Sequence, residues 1–331
     1  MLRNEPDNRC RVCYDKEKSG NNSYRLETLE KYADSFDLKN ISGDGTMDGA
    51  PFYFDIRFSN NCNFRCRTCW HGASSKWFNE ARKLKRQAGD KALLKNIDNL
   101  DLFLLEIKPW ISGLREIYFA GGEPLVMEEH YRLLEYLINN GNTDVLLRYN
   151  TNFSLLKYKQ NDLTKLWQHF PKVTIMASLD AKGKLGEYIR KDMHWNEIAA
   201  NRALLNKELP HVKFMVTPTV SVLNVYHLPD FYKFLISEKW IAADDFRINI
   251  LHRPFFYNVQ ALPKELKLKV LDRYKEAVIN LHENVQAELN KVIDFMHDQD
   301  LSKHWGAFLR EVKKMDQMRN EKIEEVCHWI L

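Results

Sequence analysis

The sequence predicts an α/β fold, an open partial (β/α)6 barrel that is followed by helices. Between residues 51 and 262, six short β-rich runs alternate with amphipathic helical stretches. Such alternation favours parallel strands joined by right-handed crossovers. A closed barrel of this kind needs eight strand–helix units, so six units predict a barrel that stays open. After residue 262 the pattern becomes helical and strongly charged.

The chain divides by its pattern into three parts. These are a polar, cysteine-containing segment over residues 1–50, the partial barrel over 51–262 and a helical region over 263–331. Apolar runs rich in β-branched and aromatic residues predict the strands, and helical apolar periodicity predicts the helices. The predicted strands are 53–58, 116–120, 145–149, 173–179, 212–220 and 246–251; the predicted helices include 128–140, 195–207 and two long helices after 262.

Composition bears on location and partners. The net charge of +4 comes from 49 basic and 45 acidic residues that are scattered along the chain, so we expect no nucleic-acid partner. No apolar run approaches the roughly 18 residues of a membrane span, and the first ten residues lack the apolar core of a secretory signal. Six cysteines in this setting indicate a reducing compartment and metal chemistry rather than disulfides. We therefore expect a cytoplasmic protein with no membrane partner.

Three cysteines form the most informative motif. Cys62, Cys66 and Cys69 have the spacing Cys-x3-Cys-x2-Cys and follow the first predicted strand. Loops at the carboxyl ends of parallel strands are where such folds place their active sites. Three thiolates leave one metal position open for another ligand. An alternative is a structural zinc ion, with His71 as the fourth ligand.

A glycine pair follows the second predicted strand. Gly121 and Gly122 in the run EIYFAGGEPLV allow positive φ and a close approach of the backbone to a ligand. Glu123 and Pro124 then begin the next crossover. Alone, this run could be an ordinary turn between a strand and a helix. Because it ends the strand next to the cysteine loop, we expect the two loops to be neighbours.

With these two motifs the sequence resembles the radical S-adenosylmethionine (SAM) enzymes. The segments CNFRCRTCWHGASSKWFNE and GGEPLVMEEHYRLLEYLINNG are most similar to those of the twitch domain-containing members. The resemblance covers roughly residues 9–270 and implies the partial barrel of that superfamily. One departure is Thr68, which stands where many members carry an aromatic residue. Further similar segments are YNTN (149–152), ASLDAKG (177–183), EYIRKDMHW (187–195) and TPTVSVLN (217–224).

The resemblance implies a set of cofactor contacts. Cys62, Cys66 and Cys69 would bind a [4Fe–4S] cluster, whose open iron takes the amino and carboxylate groups of SAM. The SAM amino group is assigned to the turn at Gly121, Gly122 and Glu123. Its carboxylate and ribose are assigned to Arg190 and Ser178. Further ribose contacts are assigned to Asn152, Asp180 and Thr219.

The same resemblance implies a reaction. One electron, from a donor such as flavodoxin or ferredoxin, would cleave SAM to a 5′-deoxyadenosyl radical. The radical would abstract hydrogen from an unidentified substrate, a peptide or a small metabolite. Two alternatives stay open. One is a radical SAM enzyme that transfers a methyl or aminocarboxypropyl group, and the other is a non-catalytic binding protein stabilised by a cluster or by zinc.

The N-terminal segment carries a second cysteine motif. Cys10 and Cys13 lie in CRVCYDKEKSGNNSYR, which is similar to a run of twitch-type proteins that helps to hold an auxiliary iron–sulfur cluster. Four thiolates would saturate such a cluster, and Cys327 is the only further cysteine outside the triplet. A partial auxiliary-cluster motif, a zinc-binding knuckle and a pair of free cysteines all remain open. Cys327 alone is expected to be a buried, small apolar residue.

Two further features have competing interpretations. The run HRPFFYN (252–258) follows the sixth predicted strand, so Arg253, Phe255 and Tyr257 would either line a substrate pocket or form an aromatic plug beneath the helices. The charged runs at 83–87 and 311–325 predict solvated helix faces.

Overall fold

A computed structural model describes residues 5–18, 23–35, 38–47, 49–87, 89–279 and 281–330. The chain forms two compact units, residues 1–51 and residues 52–331. The predicted division into residues 1–50, 51–262 and 263–331 stays a prediction. The helices are α1 (Arg11–Lys18), α2 (Tyr24–Lys31), α3 (Phe78–Lys83), α4 (Leu100–Ile107), α5 (Glu128–Asn139), α6 (Leu163–Trp167), α7 (Gly183–Ile189), α8 (Trp195–Glu208), α9 (Leu228–Ser237), α10 (Lys264–Val278), α11 (Glu283–Asp298) and α12 (Trp305–Arg319).

The smaller unit contains α1 and α2. Ser23 caps α2, since its Oγ accepts a hydrogen bond from the N–H of Leu26 at 3.2 Å. Glu17 accepts hydrogen bonds from Ser23 and Arg25 and so joins the two helices. These residues belong to the N-terminal cysteine motif, whose Gly20 lies outside the described residues.

A five-stranded parallel sheet forms the centre of the larger unit, so the predicted α/β class is confirmed. The strands are β1 (Tyr53–Ile56), β2 (Arg65–Cys66), β3 (Glu116–Phe119), β4 (Leu146–Thr151), β5 (Lys157–Tyr158), β6 (Asn161–Asp162), β7 (Val173–Ala177), β8 (Arg190–Lys191), β9 (Lys213–Val216), β10 (Thr219–Val220) and β11 (Asn249–Ile250). The strand order of the central sheet is β1-β3-β4-β7-β9. This order follows the sequence, as expected when each strand returns beside its predecessor through a helical crossover.

The fifth predicted strand is broken at Pro218. It forms β9 and β10 instead of one run over 212–220, because proline has no N–H to donate to a ladder. The sixth predicted strand runs parallel to these pieces through a bridge between Val216 and Phe246 and through the β10–β11 pair. That these strands together form an open partial barrel stays a prediction.

Apolar side chains of the strands form the core. Phe119 and Tyr149 of neighbouring strands are fully buried, and their rings stack with centroids 4.9 Å apart. Helix α5 adds Leu133, Leu134 and Leu137, which are also fully buried. Each such side chain contributes about 1.5–3 kcal/mol when it leaves water. The predicted helix over 128–140 therefore exists because one face of this segment is apolar.

The C-terminal region differs from the prediction of two long helices. Its described residues, 263–279 and 281–330, form three α-helices, α10, α11 and α12, of 15, 16 and 15 residues. The break after α10 is followed by His282, whose side chain caps the start of α11. None of the helices in the described ranges is long and apolar enough to cross a membrane.

Candidate functional site

The three cysteines lie on the loop that leaves β1. All three are free thiols of intermediate exposure. Burial raises the pKa of Cys62 to about 12 and also raises the pKa of Cys66 and of Cys69. Each thiol is therefore protonated at neutral pH unless a bound cation stabilises the thiolate.

The arrangement of the cysteines can be compared with the needs of one metal ion. Across the described ranges, no group of three or more histidine, cysteine, aspartate or glutamate side chains is placed to hold a single ion. His71, the predicted fourth zinc ligand, is buried between the rings of Trp70 and Phe78. A four-iron cluster sets a different requirement, since each cysteine binds a different iron.

A short antiparallel ladder places Arg190 opposite Cys66. Strands β2 and β8 pair in the register Arg65–Lys191 and Cys66–Arg190. The Nη1 atom of Arg190 lies 3.8 Å from the Cys66 sulfur. Burial dominates the pKa of Cys66, and the positive charge of Arg190 opposes the rise. Arg190 thus places a cation directly beside the middle cysteine.

Asp180 forms an ion pair with Arg190. Its Oδ1 accepts hydrogen bonds from Nη2 of Arg190 at 2.9 Å and from the N–H of Thr219 at 2.8 Å. Asp180 Oδ2 and Arg190 Nε are buried and have no hydrogen-bond partner among the described residues. Such atoms are costly to leave unpaired, which is the property expected of groups that meet a polar ligand.

The glycine pair packs directly on the cysteine loop. Gly121 has φ +108°, and a Cβ added at Gly122 would lie 2.1 Å from the carbonyl oxygen of Asn61. The N–H of Gly122 donates to the carbonyl of Ser59 at 3.0 Å, and that of Glu123 donates to the carbonyl of Asn61 at 2.7 Å. The expected proximity of the two loops is confirmed, and only glycine fits at position 122.

The Glu123 carboxylate is buried and accepts three hydrogen bonds from the chain itself. The donors are Thr151 Oγ1 at 2.6 Å, the N–H of Asn152 at 2.6 Å and the N–H of Leu125 at 3.1 Å. Burial raises the pKa of Glu123 to about 7, although the hydrogen bonds from Thr151 and Asn152 oppose the rise. The side chain therefore fastens the turn to the end of β4.

Asn152 and Ser178 occupy different surroundings. Nδ2 of Asn152 donates to Asn63 Oδ1 of the cysteine loop at 2.8 Å. Ser178 Oγ donates to Asn150 Oδ1 at 2.9 Å. Most of the predicted site residues thus form two groups around the cysteine loop, one at the glycine turn and one at Arg190, while the side chain of Ser178 bonds to Asn150.

Two arginines that flank Cys66 fasten the cysteine loop to distant segments, which sequence reasoning missed. Arg67 is fully buried, and its Nη2 donates to Asp316 at 2.5 Å and to Glu321 at 2.6 Å. Its guanidinium also lies 3.7 Å from the centroid of the Tyr188 ring. Arg65 bonds to Asp192 at 2.7 Å. The loop is therefore anchored on both sides of its middle cysteine.

This anchoring corrects the prediction that residues 311–325 form a solvated helix face. Glu311, Asp316 and Arg319 are buried. Arg319 donates to the Glu80 carboxylate and to the carbonyl of Arg65, both at 2.7 Å. Charged residues give the same sequence pattern whether their side chains face water or pair with one another in the interior. The only cue in the sequence was the presence of two arginines within the cysteine motif.

The remaining cysteines are Cys10 and Cys13 of the smaller unit and Cys327 of the larger unit. Cys10 lies in a short 3-10 turn and Cys13 in α1, both with intermediate exposure. Cys327 is fully buried in the larger unit, and its thiol donates to the carbonyl of Leu223 at 3.3 Å. Cys327 therefore has the small, buried character expected of it, whereas the role of Cys10 and Cys13 stays a prediction.

Comparison with known proteins gives one relative in sequence. No protein-family model matches the chain. Over 112 residues the chain is 31% identical to a GTP 3′,8-cyclase of Campylobacter lari. The match covers 34% of this chain and 30% of the relative, so the chain spans under a third of the length of the curated protein it matches.

Similar solved structures share low identity with the chain. Native anSMEcpe with bound AdoMet is 17% identical with a TM-score of 0.47, covering 70% of this chain and 62% of that one. The structure of anSMEcpe with AdoMet and the Cp18Cys peptide is 16% identical with the same TM-score, covering 70% and 61%. TYW1 with a lysine-pyruvate adduct is 14% identical with a TM-score of 0.37, covering 73% and 80%. Likeness at this level carries no argument about function.

Proposed function

We propose that the protein is a radical SAM enzyme of the twitch type that abstracts hydrogen from a peptide or small-molecule substrate. The observation that carries the proposal is the convergence of three elements on one loop: three free thiols on the loop, a glycine turn packed against its Ser59–Asn61 backbone and Arg190 beside Cys66. The 112-residue match to an enzyme, the cyclase, supports it.

The residues present fit a cluster that carries a small zwitterionic ligand. Cys62, Cys66 and Cys69 supply three thiolates, one short of saturation. The buried Arg190 offers an unpaired Nε to a carboxylate, and Asp180 offers an unpaired oxygen to an ammonium or hydroxyl group. Gly122 removes the side chain that would otherwise separate the turn from the loop. Asn152, Ser178 and Thr219 remain proposed contacts of the ribose.

The bound cofactors would supply the radical chemistry. Cys62, Cys66 and Cys69 would hold the cluster, which would supply one electron, received from a flavodoxin or ferredoxin, for reductive cleavage of SAM to methionine and 5′-deoxyadenosine, with the hydrogen atom drawn from the substrate. The chain itself binds and orients the reactants. Because a primary alkyl radical reacts with most neighbouring C–H bonds, the substrate must be held in one orientation and water kept out. A cytoplasmic, reducing location is part of the proposal.

The test is anaerobic reconstitution with iron and sulfide, followed by SAM and dithionite. We expect 5′-deoxyadenosine and methionine in equal amounts. Cys66→Ser should lose both the cluster absorbance and the product, whereas Cys327→Ala, a buried cysteine away from the loop, should keep them. A fully iron-loaded protein that forms no 5′-deoxyadenosine would exclude hydrogen abstraction. Methylthioadenosine or S-adenosylhomocysteine as the product would instead indicate group transfer.

A further inference from the structure

A cavity of about 680 Å³ opens beside the third cysteine of the loop. Its wall includes Cys69, Trp70 and Arg67 on the loop side, and Arg253, Phe255 and Tyr257 on the other. The volume is in the range of pockets that enclose small molecules. The run 252–258 lines this cavity, and Tyr257 also packs on Phe308 of α12. Whether the run forms a substrate pocket stays a prediction.

Two polar groups in the cavity wall lack partners. Nη1 of Arg67 and the hydroxyl of Tyr257 are buried and have no hydrogen-bond partner in the part of the chain that the structure describes. The other nitrogens of Arg67 are engaged, Nε by the carbonyl of Tyr188 and Nη2 by Asp316 and Glu321. One charged donor of this side chain is thus left over.

Tyr257 is a donor at neutral pH. Burial raises the pKa of Tyr257 to about 12, and the charge of Arg67 opposes the rise. The guanidinium therefore lies close enough to lower the pKa of the hydroxyl through its charge and through a side-chain hydrogen bond whose geometry is not ideal. Both groups can donate, so an oxyanion placed beside them would accept from the guanidinium and from the hydroxyl together.

A second cation, Arg253, lines the same cavity. The Arg253 guanidinium lies 4.8 Å from the centroid of the Phe255 ring, which stacks on His304 at 5.5 Å. Arg253 is exposed and forms no ion pair within the described ranges. By contrast, Arg86 of the same wall is held by Glu311 through two contacts of 2.7 Å. Arg253 is thus positioned by aromatic rings and has its charge available.

Flat apolar surface is exposed beside these cations. Trp70, directly after Cys69, is 61% exposed. Its ring lies over Gly72, where an added Cβ would come within 2.3 Å of the indole. Phe255 is 40% exposed. A planar group of a ligand could stack on either ring.

We propose that this cavity binds a small-molecule substrate that carries a planar ring and an anionic group, a carboxylate or a phosphate. Arg67, Tyr257 and Arg253 bind the anion, and Trp70 and Phe255 contact the ring. That the ligand is the substrate rests on the proposed function, since Cys69 in the wall places the ligand beside the cluster. The binding site itself does not depend on that function.

Calorimetric titration of the anaerobically reconstituted protein tests the proposal with matched probes. GMP and indole-3-propionate carry a ring together with a phosphate or a carboxylate. Guanosine and 3-methylindole keep only the ring, and ribose 5-phosphate and propionate keep only the anion. We expect one of the two composite probes to bind with a Kd below about 1 mM and about tenfold more tightly than its fragments. The probe that binds identifies the anion.

Substitutions assign the binding to this cavity. Tyr257→Phe and Arg253→Gln should each weaken the bound probe about tenfold, as expected when a hydrogen bond to a charged group is lost. Arg310→Gln, an exposed arginine of α12 outside the wall, is the control and should leave the affinity unchanged. Tyr257→Phe should change the unfolding midpoint little, because Arg67, which lies beside the hydroxyl, keeps its bonds to Tyr188, Asp316 and Glu321.

Three results would overturn the inference. They are no binding of either composite probe, binding that is unchanged in both variants, and tighter binding of an acidic peptide such as Ac-Glu-Glu-Trp-NH2, which would make the substrate a peptide. SAM cleavage is measured separately. If the probes bind and no 5′-deoxyadenosine forms, the proposed function fails while the anion site stands; the reverse result removes only the anion site.

Discussion

Glu123 illustrates how a single residue serves the site through the backbone. All three of its hydrogen bonds come from the chain, and two of them come from the end of β4. The carboxylate thus holds the glycine turn at a fixed distance from Asn152. A direct contact of this side chain with SAM stays a prediction, whereas its positioning role follows from the geometry.

Replacing Glu123 by glutamine should destabilise the fold. A carboxylate accepts at both oxygens, but the glutamine amide would direct an NH2 group at one of the three donors. We expect the free energy of unfolding to fall by about 1–3 kcal/mol in urea denaturation, the cost of a buried unsatisfied group. The exposed Glu135→Gln on α5 is the matched control and should change it by less than about 0.5 kcal/mol. Equal effects of the two substitutions would contradict the assigned role.

His130 gives the fold a defined response to acid. It is completely buried against Phe119, and its Nε2 shares a hydrogen bond with Tyr149 at 2.9 Å. Burial lowers the pKa of His130 from 6.5 to about 3. The unfolded chain therefore binds a proton at this site between those pH values while the folded chain does not, so stability decreases as the pH falls through this window.

The measurement is urea unfolding at pH 4.5, 5.5 and 6.5. The free energy of unfolding of the wild type should contain a term that falls by about 1.4 kcal/mol per pH unit below 6.5, and His130→Gln should lack this term. The exposed His169→Gln is the control and should keep the wild-type slope. A wild-type slope in the His130 variant would show that other groups cause the acid sensitivity.

At the scale of elements, the strands were more predictable than the contacts that build the site. The runs leading to β1, β3, β4 and β7 are apolar enough to identify a buried strand from composition, and the structure places each within a few residues of its prediction. The β2–β8 ladder was not predictable, since its residues are Arg65, Cys66, Arg190 and Lys191 and carry no apolar pattern. The adjacency of Cys66 and Arg190 thus depends on tertiary structure.

Replacing Arg67 by lysine should destabilise the fold even though the positive charge is kept. In Arg67→Lys the charge remains, but an ammonium cannot donate to Tyr188, Asp316 and Glu321 with the planar fork of guanidinium. We expect the free energy of unfolding to fall by about 3 kcal/mol, as when a buried ion pair is disrupted. Arg132→Lys, in an exposed pair with Asp101, is the control and should cost under about 1 kcal/mol. A similar small loss in both variants would show that the buried network is not structural.

At the scale of the larger unit, the chain returns from its C-terminal helices to the first loop of the sheet. Arg67 contacts Asp316 and Glu321 across separations of 249 and 254 residues. Met315 of α12 packs with Trp77 and Leu84 in a small apolar cluster that Cys69 joins. Helix α12 therefore forms part of the surroundings of the cysteine loop. This role of α12 could not be predicted from the sequence, because several of its buried positions carry paired charged residues instead of apolar residues.

A chain that ends after residue 298 should therefore fail to hold the cysteine loop. It would lack α12, leaving the buried Arg67 without its carboxylate partners, Glu80 without Arg319 and Trp77 without Met315. We expect no cooperative unfolding transition and under one iron per chain after reconstitution, measured by urea denaturation and by iron analysis. The full-length variant Lys313→Gln/Lys314→Gln alters only exposed positions of α12 and should match the wild type in both measurements. A truncated chain that unfolds cooperatively and binds iron like the wild type would show that the loop is organised by the sheet alone.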